Sequence, residues 1–207
     1  MKTNNLASLT EAEIAARLAA RSGIEVESRF PPGLLDTRLR HAAVTIPFLK
    51  REERWHLLYI RRTTKSGDPH SGQVAFPGGA SEPGDINLQA TALREMHEEI
   101  GVCSEDVRIL GSLHDFVTIT SYQVTPFVGV IPWPYPLKLE HSEVSRAFTI
   151  PLEWLADPHN HQVRQRLLPP PYDPIAVIYF EPYDGEVLWG ATAGFTMTLI
   201  NALKHSG

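Results

Sequence analysis

The sequence is short of the features that mark several large classes of protein. Cys103 is the only cysteine in 207 residues, so an intramolecular disulfide and a cysteine-rich zinc site are both excluded. Positive charge is in deficit: 19 Lys and Arg face 24 Asp and Glu, for a formal net charge of −5. That balance leaves no basic excess to neutralise a nucleic-acid backbone, so nucleic acid is not an expected partner. A small phosphorylated ligand is still admissible, because its pocket needs only a few local cations. No apolar run approaches the roughly 18 residues that span a bilayer; the best stretch, Val124 to Trp133, is interrupted by Pro126 and Pro132. Met1 to Ala7 lacks a basic region followed by an apolar one, so no secretory signal or membrane association is expected, and the expected location is cytoplasmic. Internal repeats and low-complexity tracts are also missing.

What remains is an ordinary globular composition, 43% hydrophobic and 21% charged, in a chain long enough for one sizeable core. Thr10 with Glu13 forms a capping-box pattern for a helix to about Ala20. Pro31-Pro32-Gly33 then breaks the chain, which makes residues 1–37 an N-terminal helical and extended appendage and 38–207 the main domain. Strands are predicted at 42–49 and 55–60, with a turn-rich loop over 63–72. A short strand at 73–76 runs into a sharp turn at Pro77-Gly78-Gly79. The stretch from Ile86 to Ile100, free of Gly and Pro, is the strongest helix, and Gly101 is its stop. Strands near 107–117 and 122–131, a short helix at 152–155, a strand at 176–180 and a terminal helix at 192–204 follow. His159 and His161 fall in a polar loop without metal-ligand spacing. This mixed order of strands and few helices predicts an α/β (α+β) sandwich.

Arg94-Glu95-Met96-His97-Glu98-Glu99-Ile100-Gly101-Val102 carries the chemistry. At about 100° per residue, Glu95, Glu98 and Glu99 share one arc of roughly 100°, while Leu93, Met96 and Ile100 share another that can pack into a core. Three carboxylates at these spacings repel one another and weaken a helix. A hard divalent cation, Mg²⁺ or Mn²⁺, reverses that sign, since it takes oxygen ligands and bridges to phosphates. Arg94 stands four residues before Glu98 and can orient its carboxylate. A merely solvated acidic face is the plainer alternative. The glycines of Phe76-Pro77-Gly78-Gly79 before the helix and Gly101 after it favour a built strand–loop–helix–loop unit.

That unit resembles the Nudix box, Gly-x5-Glu-x7-Arg-Glu-apolar-x-Glu-Glu-x-Gly-apolar, and matches every specified position from Arg94 to Val102. Asp85 takes the place of the first glutamate, with eight residues between it and Arg94 and with Glu82 as a nearby acid. The resemblance implies a Nudix-type α/β/α sandwich with a mixed central sheet. It also implies metal-dependent cleavage of a phosphoanhydride bond, with Arg94, Glu95, Glu98 and Glu99 as the catalytic group. Glu95, Glu98 and Glu99 would be the Mg²⁺ or Mn²⁺ ligands, and Gly79 and Gly101 would shape the loops. Glu143, ahead of Glu140, is the candidate for an additional ligand or base.

Across most of residues 38–193 the chain further resembles the coenzyme A pyrophosphatase branch of that family. The matching pieces are Arg40-His41-Ala42-Ala43-Val44, His70-Ser71-Gly72-Gln73-Val74-Ala75-Phe76-Pro77-Gly78-Gly79, Val124-Thr125-Pro126-Phe127-Val128-Gly129, Glu143-Val144, and Trp189-Gly190-Ala191-Thr192-Ala193. The branch converts coenzyme A or its thioesters into 3′,5′-ADP and a 4′-phosphopantetheine part. Its fingerprint Leu-Leu-Thr-x-Arg appears as Leu57-Leu58-Tyr59-Ile60-Arg61, and Asp68 stands in place of a second arginine. Arg61, Arg62 and Lys65 are the cations available to take over phosphate contact. Arg40, Arg61, His70, Gly78 and Gly79 are the substrate-binding candidates. His70 serves equally well as a turn cap, and Trp189, Trp133 and Tyr135 suit packing better than base stacking. The expected partner is a small nucleotide diphosphate derivative, with a homodimer as an admissible assembly. ADP-ribose, a dinucleotide or a nucleoside triphosphate is the alternative substrate. A catalytically silent Nudix-fold binding or regulatory module is the alternative of another class.

Overall fold

The computed structural model describes residues 6–20, 38–64, 67 and 71–204. Its centre is a mixed sheet built on β1 (Arg40–Arg51), which pairs antiparallel with β2 (Arg54–Arg62) at Phe48–Arg51. The first half of the same β1 edge is taken by β4 (Gly78–Ala80), with Ala42, Ala43 and Val44 opposite Ala80, Gly79 and Gly78. On its other edge β1 runs parallel to β7 (Tyr122–Val130) from Arg40 to Phe48. β3 (Val74–Ala75) and β8 (Val144–Pro151) flank β2, while β5 (Arg108–Ser112) and β6 (Phe116–Val117) extend β7. One parallel pair within an otherwise antiparallel eight-stranded sheet gives the mixed topology expected.

Both faces of this sheet are covered, so its central strands read as almost continuous apolar runs. Along β2, Trp55, Leu57 and Tyr59 join one cluster and Leu58 and Ile60 the other, the period of two that a strand imposes. The first cluster is closed by α1 (Glu11–Ala19), α3 (Leu152–Ala156) and α4 (Gly190–Lys204) through Ile14, Leu18, Leu152, Leu155, Leu199 and Leu203. The second is closed by α2 (Leu88–Ile100) through Met96 and Ile100. The result is the α/β/α layering. Among the described residues no helix is long and apolar enough to cross a membrane.

Several elements differ from the sequence expectation for identifiable reasons. α2 starts at Leu88 because Asn87 caps it, accepting the Ala90 N–H at 2.8 Å, and Ile86 is left outside, 89% exposed. The expected turn at Gly78-Gly79 is instead the short strand β4. The expected strand over 107–117 is split into β5 and β6. His161, placed in a polar loop by the sequence, begins β9 (His161–Arg166), which pairs with β10 (Ile175–Phe180) in a separate two-stranded sheet. β9 carries no apolar alternation and its side chains are mostly exposed, so hydrophobic periodicity could not reveal it.

Residues 6–20 of the N-terminal segment are fastened into the first cluster. The expected capping box forms at Thr10 and Glu13, and Ile14 and Leu18 are buried. Trp55 donates its indole N–H to Leu9 O at 2.7 Å, Arg17 donates to Leu203 O, and Glu11 pairs with Arg108 at 2.7 Å. Replacing Ile14 by Ala should therefore cost about 2–5 kcal/mol, the usual range for emptying a core aliphatic site. Urea unfolding followed by tryptophan fluorescence measures this; a change of under about 0.5 kcal/mol would show α1 to be peripheral.

Candidate functional site

The entrance to α2 is set by close backbone approach. Gly78 has φ +155°, and a Cβ there would lie 2.4 Å from Ala43 O, so only glycine lets β4 settle against β1. Gly79 faces the acidic helix: a Cβ on it would meet the Glu95 carboxylate at 2.4–2.5 Å. These glycines bring the backbone of 78–79 under the carboxylates of α2, and the Gly78 N–H donates to Glu99 Oε2 at 3.0 Å.

Arg94 organises the first turns of the acidic face. Its Nε and Nη2 donate to the two carboxylate oxygens of Asp85 at 3.0 and 3.1 Å, a two-point pairing that fixes both planes. Nη2 also donates to Ala80 O at 3.1 Å, and Nη1 reaches Glu95 Oε1 and Glu98 Oε2, each at 3.0 Å. Asp85 further accepts from the Glu82 N–H at 2.9 Å and Thr91 Oγ1 at 2.8 Å. The Arg94 guanidinium holds the Asp85 carboxyl far below the usual range, with the Glu82 N–H adding to the effect. Asp85 thus anchors Arg94, and its oxygens are spent. The shorter acid is matched by the longer connection to Arg94 noted in the sequence.

Glu99 is the most buried of the acids, 2% exposed. Burial pushes its pKa up to about 8, and the charges of Glu95 and Glu143 add to the rise, against the Gly78 N–H and Arg62, which oppose it. Arg62 Nη1 lies 3.5 Å from Glu99 Oε1. Glu95 is raised too, chiefly by burial, with Glu98 and Glu143 contributing against the Arg94 contact. Glu143 arrives here because the loop before β8 docks on the end of α2. Lys138 N–H donates to Ile100 O at 3.0 Å and Glu140 N–H to Glu99 O at 2.9 Å, which satisfies carbonyls that a helix end otherwise leaves open. Gly101, at φ +73°, makes room for that loop, since a Cβ would stand 2.8 Å from Lys138 Cβ.

The structure therefore brings Arg94, Glu95, Glu98, Glu99, Gly78, Gly79 and Glu143 into one neighbourhood. Glu98 is the outlying member, turned onto Arg94 and 57% exposed. Among the described residues no three acidic, imidazole or thiol groups close into a finished ligand set. The donors are nonetheless hard oxygens of the type a divalent ion prefers, and Mg²⁺ commonly takes one or two carboxylates and completes its shell with water and phosphate. The acidic surplus fits such an ion.

Other candidates go elsewhere. Arg40 lies over the Tyr122 ring at 4.0 Å. Arg61 points to the opposite face from Arg62 and pairs with the buried Glu186 at 3.3 Å. His70, with Lys65 and Asp68, lies outside the described residues. Glu140 turns back to accept the Ser142 N–H at 3.0 Å. Trp189 stacks on Tyr179 at 5.5 Å, Trp133 and Tyr135 pack beside the second cluster, and the Tyr135 hydroxyl donates to Asp106 at 2.7 Å. Arg62, one of three cations the sequence offers for phosphate contact, lies beside Glu99. The alternation Leu58, Ile60, Arg62 was the signal that it shares the α2 face.

A NUDIX domain family model matches residues 39–169, which contain the whole of α2 and Glu143. A protein from Photorhabdus laumondii subsp. laumondii, named as an uncharacterized Nudix hydrolase NudL, is 36% identical over 178 residues, covering 84% of this chain and 89% of its own. A protein of the same name from Yersinia enterocolitica is 34% identical over 177 residues, covering 81% of this chain and 84% of its own. Among solved structures, a MutT/nudix family protein from Enterococcus faecalis superimposes with a TM-score of 0.50 at 16% identity, over 97% of this chain and 71% of that one, a likeness of fold. With the family match spanning the acidic helix and its supporting loops, the chain belongs to the Nudix hydrolase family.

Proposed function

We propose that this chain hydrolyses the phosphoanhydride bond of coenzyme A or an acyl-coenzyme A, giving 3′,5′-ADP and (acyl-)4′-phosphopantetheine, with Mg²⁺ or Mn²⁺ held by Glu95, Glu98 and Glu99. Nudix hydrolases act on small nucleotide derivatives and generally use divalent metal ions. The observation that carries the metal reading is the buried Glu99 carboxylate, raised in pKa by burial and by the charges of Glu95 and Glu143. The coenzyme A reading rests on the branch-like segments, which fall on β1, β3, β4, β7 and the start of α4.

A divalent cation bound here would neutralise the diphosphate and lower the pKa of the attacking water. The chain's own part is positioning and charge, as phosphoryl transfer demands. Arg94 holds Glu95 and Glu98 in register through Asp85. Gly78 fixes Glu99, and the 138–143 loop presents Glu143 as the base that takes the water's proton. Oxygen then bonds to phosphorus as the bridging P–O bond breaks, and the leaving phosphate carries away the bond's electron pair. One observation favours another diphosphate, such as ADP-ribose, a dinucleotide or a nucleoside triphosphate: Arg61, the fingerprint arginine, is engaged by Glu186.

A substrate panel with Mg²⁺ and Mn²⁺ separates these readings. It should contain coenzyme A, acyl-coenzyme A, ADP-ribose, NADH and nucleoside triphosphates, with Glu98→Gln run beside the wild type. Release of 3′,5′-ADP from the coenzyme A compounds alone, reduced by about a hundredfold or more in the variant, is expected. Preferential cleavage of ADP-ribose would overturn the substrate, and near-normal turnover in Glu98→Gln the metal assignment.

Gly79→Ala offers a finer check. The three atoms nearest to the added methyl all belong to the end of the flexible Glu95 side chain, so stability should change by less than about 1 kcal/mol. Turnover should drop by about tenfold or more, because a displaced ligand costs positioning. Unchanged kinetics would show that the Glu95 carboxylate is not held where the reaction needs it.

A further inference from the structure

The small sheet of β9 and β10 has an open edge. Phe180 N–H donates to Leu188 O at 2.8 Å, on the side of β10 where Tyr179 bridges to Trp189, whereas Glu181 N–H donates to Asn160 O at 2.8 Å, on the β9 side. Main-chain groups alternate in this way along an antiparallel strand, so Ile175, Val177 and Tyr179 spend theirs on β9. The register sets these three opposite Arg166, Arg164 and Gln162. His161, Val163 and Gln165 therefore aim their N–H and C=O groups outward, where among the described residues no further strand pairs with β9.

Sheet edges are commonly blunted by charge, by proline or by a covering loop. β9 has no proline, and its two arginines are drawn away from the edge. Arg164 lies over the Tyr179 ring at 4.8 Å and Arg166 over the Trp189 ring at 5.6 Å. Tyr179 is on β10 and Trp189 is bridged to its far side, so both guanidinium groups lean across the hairpin. Val163, in the middle of the strand, is 61% exposed.

We infer that β9 is a self-association surface: two copies of this chain pair edge to edge, antiparallel, about a twofold axis at Val163. That centre sets Val163 against Val163, Gln162 against Arg164 and His161 against Gln165 of the other copy. The outward main-chain groups of residues 161, 163 and 165 supply the hydrogen bonds, the mode by which an extended strand adds to an open sheet. A twofold axis at Gln165 would set Arg164 against Arg166, and like charges directly opposite are unfavourable. One at Arg164 would need main-chain groups already spent on β10. The contact uses the same patch on both copies and closes at two, and its small area makes the dimer a reversible one.

The test is sedimentation equilibrium of the full chain over a range of concentrations, with Val163→Lys, Val163→Pro and Ile119→Lys. Proline at 163 keeps the β9–β10 pairing, because the N–H it removes points outward, and melting temperatures confirm folding. The wild type should approach twice the chain mass as concentration rises. Both Val163 variants should associate about tenfold more weakly or worse. Ile119→Lys, which adds the same charge at another exposed apolar position, should match the wild type. Register is read by treating Val163→Cys with oxidised glutathione after Cys103, the one native cysteine, is replaced by Ser. Opposed residues of a hydrogen-bonded antiparallel pair have Cα atoms about 5.5 Å apart, within disulfide reach. Val163→Cys should therefore cross-link the two copies, and Gln165→Cys on the same edge should not. The inference is overturned by a wild type that stays monomeric, which would leave the edge to some other extended segment. It is equally overturned by a dimer that both Val163 variants leave intact, by equal loss in Ile119→Lys, or by cross-linking through Gln165→Cys in place of Val163→Cys.

Discussion

Glu99 places a carboxylate on the last turn of α2 with 2% of its surface exposed, and much of the surrounding architecture serves that placement. A charge removed from water is costly unless it is hydrogen-bonded or paired. Here the Gly78 N–H supplies the hydrogen bond, at a point where the backbone can approach only because residue 78 has no Cβ. Arg62 supplies the opposite charge from the end of β2, and the 138–143 loop closes over the helix end through the carbonyls of Glu99 and Ile100. β1, β2, β4 and the loop before β8 meet at this carboxylate. Its compensation is incomplete, as the upward shift of its pKa shows.

The rest of the acidic face is kept in order by a division of work. Asp85 gives up its own lone pairs to Arg94, Thr91 and the Glu82 N–H, and Arg94 thereby becomes rigid enough to tether Glu95 and Glu98. A helix bearing three like charges on one arc is poorly stable alone. Met96 and Ile100, both fully buried on another arc of the helix, supply the packing that holds it regardless. Stability and chemistry are thus carried by different faces of one helix.

Those two faces were legible in the sequence because helical spacing separates Met96 and Ile100 from Glu95, Glu98 and Glu99. The central strands were legible from their apolar runs, and α1 from the Thr10–Glu13 box. β9 was not, since Gln162, Arg164, Gln165 and Arg166 bury too little to leave a pattern. Site residues contributed by tertiary approach were harder. The sequence offered Arg61 as the fingerprint arginine, but one step along a strand changes the face, and Arg62 is the one that meets Glu99. The role of Asp85 also depended on seeing which oxygens it had left. Glu143 stood only slightly ahead of Glu140 in a charged loop, and the docking of that loop on α2 brings it beside Glu95 and Glu99.

Whether a divalent cation stabilises this acidic cluster can be read from thermal unfolding of the wild type and Glu99→Gln, with and without Mg²⁺, across pH. An acid whose folded pKa lies above its unfolded value binds more protons in the folded state, so stability falls as pH rises between about 4.5 and about 8. Without Mg²⁺ the wild type should lose melting temperature across that window, and Glu99→Gln should flatten the loss. With Mg²⁺, which stabilises whatever folded form binds it, the wild type should regain the difference and the variant should respond weakly. A Glu99→Gln protein that keeps the wild-type pH slope and the full Mg²⁺ response would show that Glu99 neither titrates in this window nor holds the cation.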